Sequence, residues 1–317
     1  MIKQVFYQDV TSGAAHDITT IVSAPKWATK RKGTPASFKF TVVDDVGINW
    51  AEGSIICFLA DGKGYFYGYV FRVGQKMGGT RTITAYDQTR YLKNTDTYVF
   101  EGTRADQILT EIAEDYGLKL GEVENTGYVI PSMCEDGSTL FDIILKALDY
   151  TIVNIGRMYY LWDDYGALRI SSVAGSKLDL FFGDNSMVTD YSHETEIDTN
   201  TYNRIKLVRD NKDTGHRDVY MFQDSNTISQ WGILQKFEKV DEKLNASQIS
   251  ERGDNLLELH NKPKRSFGID GPSDLSVRAG CMIFVQIEAV GSGQFFVVEE
   301  ATHDIEKATM ALKVVVA

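Results

Sequence analysis

The order of elements toward the end of the chain constrains the fold more than any single motif. One polar-capped helix pattern, Asn245 to His260, follows about 200 residues of mostly β-rich sequence. Strand patterns come next, from Phe267 through Pro272, then Val277-Arg-Ala-Gly280 to Val285, then Phe295 to Glu299 and Met310 to Val316. No nucleotide loop, paired cysteines or histidine cluster accompanies them. So ordered a chain with so little chemistry reads as part of an assembly rather than a catalyst.

The first 100 residues carry the period of antiparallel strands. Ser37 to Val43 alternates, with Phe38, Phe40 and Val42 on one face. Asp61-Gly-Lys-Gly64 joins Ile55–Ala60 to the strand Tyr65 through Val73, because its glycines accept positive φ. The run Tyr65-Phe-Tyr-Gly-Tyr-Val-Phe71 is aromatic on both faces, as a strand covered on each side requires. Its residues Tyr65, Tyr67, Tyr69 and Phe71 are expected to form an inter-subunit or structural strand. A second hairpin turns at Gly78-Gly79.

From Thr103 the period changes. Ala105, Ile108, Leu109, Ile112, Ala113 and Tyr116 repeat at three and four, one apolar helix face, with Thr103 as N-cap, Asp106 as its acidic partner and Gly117 as the stop. A second helix is predicted over Thr139 to Asp149, and a hairpin around Asp163-Asp-Tyr-Gly166 follows. Beyond 178 strands return: Tyr202–Val208 turns through Lys212-Asp-Thr-Gly215 into Arg217–Phe222, and Asp224 to Gly232 reads as a loop. In the last helix, Asn245 and Gln248 stand at capping-box spacing, while Gly253 costs roughly 1 kcal/mol of helix propensity. The expected fold class is therefore mainly β with a helical insert (α+β), in three parts: a β domain at 1–100, a helix-and-hairpin insert at 101–177, and a second β domain with one helix at 178–317.

Chemistry has few places to reside. Forty-four acidic against 33 basic side chains leave a formal charge of −11, which disfavours non-specific contact with nucleic acid. Lys30-Arg31-Lys32 is the one basic cluster, too short and too poor in aromatics for a nucleic-acid surface, and reads as an exposed turn or a contact to an acidic partner. The five histidines are isolated, so no metal set is expected, and no cofactor loop is present. Cys57, Cys134 and Cys281 are distant and odd in number, which fits small apolar residues in a reducing compartment. No signal-peptide core opens the chain and no apolar run could span a membrane, so no membrane anchor is expected. Glu194, Glu196 and Asp198 would share one face of a strand, a charged surface or channel wall; paired carboxylates for glycoside hydrolysis are the competing reading.

Several stretches together resemble one family, the baseplate hub proteins of contractile phage tails and phage-tail-like bacteriocins, of the PBSX prophage type. They are Ala85-Tyr-Asp-Gln-Thr-Arg-Tyr-Leu92, Thr103-Arg-Ala-Asp-Gln-Ile-Leu109, Thr139-Leu-Phe-Asp-Ile-Ile144, Tyr159-Tyr-Leu-Trp162 and Ser276-Val-Arg-Ala-Gly280. The resemblance implies a non-enzymatic structural protein with two β-barrel-like tube domains per subunit and an insert outside the ring. It implies a homotrimer that adapts the hexameric tail tube to the trimeric central spike, with tape-measure and baseplate wedge proteins as further partners and no sequence-specific nucleic acid. Such a particle is assembled in the bacterial cytoplasm and released on lysis. A peptidoglycan- or carbohydrate-directed binding module, or weak hydrolase, is the alternative from another class.

Overall fold

The computed structural model describes residues 2–43, 47–184, 186–211 and 215–316. Seven strands come first: β1 (Lys3–Gln8), β2 (Ala15–Asp17), β3 (Ser23–Lys30), β4 (Ser37–Val43), β5 (Ile55–Ala60), β6 (Lys63–Lys76) and β7 (Thr80–Tyr86). A mixed segment follows, with β8 (Thr95–Arg104), α1 (Ala105–Asp115), β9 (Leu120–Val123), β10 (Val129–Thr139), α2 (Leu140–Ile155), β11 (Tyr159–Asp163) and β12 (Leu168–Ser172). Next are β13 (Lys177–Gly183), β14 (Asp190–Glu196), β15 (Arg204–Asn211), β16 (His216–Gln223), α3 (Ser225–Trp231), β17 (Gln235–Lys239) and α4 (Ala246–His260). The chain ends in β18 (Lys264–Pro272), β19 (Met282–Ile287), β20 (Ser292–Asp304) and β21 (Thr309–Val316).

The expectation of two β-barrel-like tube domains is corrected by the strand order. Strands from both β regions share one 13-stranded sheet, ordered β14-β18-β21-β20-β3-β4-β7-β6-β5-β1-β2, with β13 and β19 branching from β20. The reason lies in β20. This 13-residue strand pairs with β19 along Ser292–Val297 and with β3 along Glu300–Asp304, while β21 covers its other edge. Backbone groups that would close either β region on itself are spent joining the two. Among the described residues the sheet's terminal strands, β14, β2 and β13, do not pair with one another, so the sheet is open.

Two smaller units stand on this sheet. In the first, α1 and α2 pack with the β8–β10 pair and the β11-β12-β9 sheet around Ile108, Leu109, Leu140, Ile144 and Leu168. Thr139 caps α2, its hydroxyl accepting from the Asp142 N–H at 3.1 Å, and the helix runs past Asp149 to Ile155. At α1 the cap is shifted from the expected one. Arg104 is the N-cap, Gln107 Oε1 accepts its N–H at 3.0 Å, and Asp106 instead receives the Thr126 N–H at 3.0 Å.

The second unit is the β16-β15-β17 sheet with α4 across one face, around Ile205, Leu207, Ile249 and Leu256. The stretch expected to be a loop holds α3, capped by Asp224 Oδ1 on the Asn226 N–H at 2.8 Å. β16 has already reversed the chain, so α3 only carries it past the start of β15, from Gln223 to Gln235, and β17 then runs parallel to β15. The predicted β15–β16 turn has its Lys212–Thr214 portion outside the described residues. The capping box at Asn245 and Gln248 forms as expected, with bonds of 3.0 Å in each direction.

Two glycines are placed by contact. A Cβ on Gly253, inside α4, would lie 2.2 Å from the Phe222 ring, so the helix closes on β16 only without one. Gly280 has φ +98°, and a Cβ there would lie 2.0 Å from the Tyr160 ring. Gly253→Ala gains propensity yet overpacks, and should lose ~1–2 kcal/mol in urea unfolding. Gly280→Ala adds backbone strain to overpacking and should lose more, about 2–4 kcal/mol. Equal stability of both variants and wild type would contradict this packing.

Candidate functional site

The features most open to assembly lie on the rims of the long sheet, and they are held by one buried junction. That junction is the segment from Ser273 to Cys281, between β18 and β19. Its apolar side chains divide among cores: Leu275 joins the cluster of Trp27, Phe38 and Phe58, while Val277 and Cys281 join that of Phe182, Phe267 and Phe296. The Ala279 N–H donates to Thr29 Oγ1 at 2.9 Å. Buried His303 donates to the Val277 carbonyl and contacts the Ser273 hydroxyl, both at 2.8 Å, and stacks on Trp27 at 5.2 Å. Burial holds its pKa below the usual histidine range, so it is a neutral, hydrogen-bonded core residue.

Arg278 binds the first small unit to this segment. Its guanidinium lies 3.8 Å from the Trp162 ring centroid and donates to the Asp163 carbonyl at 3.2 Å. A desolvated cation over indole contributes about 2 kcal/mol. Two carboxyls share the surroundings. Asp163 is pushed up to about 6, first by burial, while its Oδ1 accepts the Gly166 N–H at 2.7 Å. Asp87 is also raised, by burial and then by the Asp163 charge. Both are buried beneath packed side chains, so their shifted acidity serves the fold and offers no substrate a point of contact. Among the described residues no group of three or more His, Cys, Asp or Glu is placed to hold a metal.

The stretch from Ala85 to Leu92 is the matching hinge from β7 into the first small unit. Asp87 caps a 3-10 turn, Gln88–Lys93, by accepting the Thr89 N–H at 3.2 Å. Gln88 pairs with the Lys119 backbone in both directions, at 3.0 and 3.1 Å, and Leu92 enters the core of α1 and α2. Arg90 and Tyr91 turn back onto β6: Arg90 lies 5.1 Å over the Phe71 ring, and Tyr91 is 5.7 Å from Tyr69 and 5.8 Å from Phe71.

Tyr67, Tyr69 and Phe71 thus form a half-buried aromatic row, closed at its other end by Tyr165 of the β11–β12 turn, 5.7 Å from Tyr67. Burial pushes the Tyr67 phenol up to about 12. Tyr65 is not in that row. A register shift between Phe58 and Leu59 turns it toward Trp27, at 6.0 Å. Of the acidic residues, Glu194 is exposed on the edge strand β14, Glu196 pairs with Lys264 at 3.3 Å, and Asp198 lies past the end of the strand.

A basic region was legible only in part. Arg31 and Lys32, from the basic cluster read in the sequence, lie at a groove with Lys262, Lys264 and Arg265, across more than 200 residues of sequence. The run Lys262-Pro-Lys-Arg265 is a second local signal for it, which the sequence reading passed over.

Open sheet edges and a half-buried aromatic row on an interior strand characterise this β-rich chain. A family model described as YQBQ-like matches residues 25–315, and the chain belongs to that family. It is 32% identical over 298 residues to the phage-like element PBSX protein XkdQ of Bacillus subtilis, covering 90% of this chain and 89% of that protein. The fold is similar to the 43 kDa tail protein of prophage MuSo2 from Shewanella oneidensis, with a TM-score of 0.71 at 14% identity over 99% of this chain and 98% of the other. It is also similar to a tail protein from Neisseria meningitidis MC58, with a TM-score of 0.69 at 13% identity over 99% and 97%.

The Asp163 carboxyl has a measurable consequence. The folded protein binds a proton there between about pH 4 and pH 6, where the unfolded chain has released it. This group therefore adds stability as pH falls through about 6. Asp163→Asn keeps an acceptor for Gly166 but cannot titrate. Denaturant unfolding from pH 7.5 to 4.5 should show the wild type gaining stability relative to the variant. A constant difference between them would refute the assignment.

Proposed function

We propose that this protein is the structural hub of a contractile tail baseplate, a ring of three chains that adapts a hexameric tail tube to a trimeric central spike. The observation that carries the reading is the family match over residues 25–315, in a chain whose fold follows tail proteins along nearly its whole length. A hub needs rigid subunits with complementary edges. The open ends at β14 and β2 leave backbone groups for neighbouring copies, and heterologous contacts of that kind close into rings.

In this reading the half-buried row of Tyr67, Tyr69 and Phe71, with Tyr65 beside it, stiffens the strand that meets a neighbour. Glu194, Glu196 and Asp198 contribute negative charge to the wall of an axial channel, where a passing polyanion would not adhere. The segment 101–177 stands on the outer side, between β domains at 1–100 and 178–317. The tube protein and spike are the principal partners, and tape-measure and baseplate wedge proteins meet the same hub during assembly. Assembly takes place in the bacterial cytoplasm, with release on lysis. The chain itself performs no catalysis.

Light scattering on the purified protein, alone and with its tube and spike partners, should give a hub component of three times the 35.5 kDa chain mass. A strict monomer in every mixture would refute the hub reading.

A further inference from the structure

A groove of about 1090 Å³ runs between the β18, β20 and β21 end of the long sheet and the helices α2 and α4. In a chain of net charge −11, ten Lys and Arg line it against four carboxylates. Those four are already engaged: Asp149 with Lys32 at 2.9 Å, Glu300 with Lys30 at 2.9 Å, Glu299 with Arg31, and Glu238 with Arg252. Lys262, Arg265 and Lys313 are exposed and, among the described residues, have no carboxylate within ion-pair distance. The groove therefore has an excess of free positive charge.

Its side wall is a strand edge. β17 is the last strand of its sheet and, among the described residues, is bonded only to β15. Four consecutive residues of it, Lys236 through Lys239, line the groove. Successive side chains of a strand point to opposite faces, so four in sequence mark an edge rather than a face. On that edge strand, Phe237 is 57% exposed.

We propose that this groove docks an extended acidic segment of a partner protein, which adds as a strand to the free edge of β17. Its carboxylates would meet Lys262, Arg265 and Lys313, and alternate apolar side chains would cover Phe237. Strand addition supplies main-chain hydrogen bonds for affinity and alternating side-chain contacts for specificity. The open edge and the exposed Phe237 together favour a polypeptide over a nucleic acid, which has no strand to pair. The proposal stands on the single chain and is independent of ring formation.

Fluorescence anisotropy with the full chain tests it. The probe is a labelled peptide of alternating Glu and Val, about seven residues long, enough to span the five residues of β17. Binding should weaken about tenfold or more in an Arg265→Glu/Lys313→Glu variant of unchanged circular dichroism, and should weaken with added salt. N-methylation of one alternating set of peptide amides should abolish binding, while the other set should be tolerated. The proposal is overturned if no acidic peptide binds at low salt, if the double variant binds as well as wild type, or if both methylated peptides bind equally. Equal affinity for a single-stranded DNA of the same charge would also overturn it, making the groove a general polyanion site.

Discussion

The stacking of Arg278 on Trp162 is the contact on which the remaining architecture depends. The segment that carries it touches three bodies at once: the sheet core at Leu275 and Val277, strand β3 through Thr29, and the β11–β12 hairpin through Trp162 and the Asp163 carbonyl. A buried guanidinium is costly unless its surroundings supply negative potential and a π face. Here they are supplied by elements more than 100 residues away, so the segment reaches its place only when the sheet and the first small unit are both formed. Gly280, with no Cβ to meet Tyr160, is what lets the chain leave that contact toward β19.

The long strand β20 has the complementary role. By pairing with β19, β3 and β21 it converts two β regions, far apart in the chain, into one continuous surface. A subunit built this way is stiff across its width and unfinished at its ends. The open ends suit a component completed by neighbours, because an exposed sheet edge in a lone protein is a liability for uncontrolled pairing. β14 carries Glu194 and the ion pair of Glu196 with Lys264 at one such edge, the kind of charge that limits pairing with the wrong partner.

Much of the local structure was legible from periodicity. The β4 alternation, the apolar faces of α1 and α2 and the capping box of α4 follow from spacings of two, or of three and four, that local sterics and hydrogen bonding enforce. Gly253 appeared only as a propensity cost, because its reason, the Phe222 ring, belongs to another element. α3 was hidden in a polar stretch with no apolar face, and its place is set by the need to carry the chain past the start of β15, from β16 on one side to β17 on the other.

Sequence alone determined the mainly β character, the position of the helical segment, the absence of familiar catalytic motifs and the likeness to tail hub proteins. Each of these is written in short-range patterns or in short stretches such as Ala85–Leu92 and Ser276–Gly280. Tertiary structure decided that the two β regions form one open sheet, that Tyr65 departs from the row of Tyr67, Tyr69 and Phe71, and that Arg31 and Lys313 line the same groove. Those outcomes depend on strand pairing and register between distant residues, and neither is encoded in the spacing of neighbours along the chain.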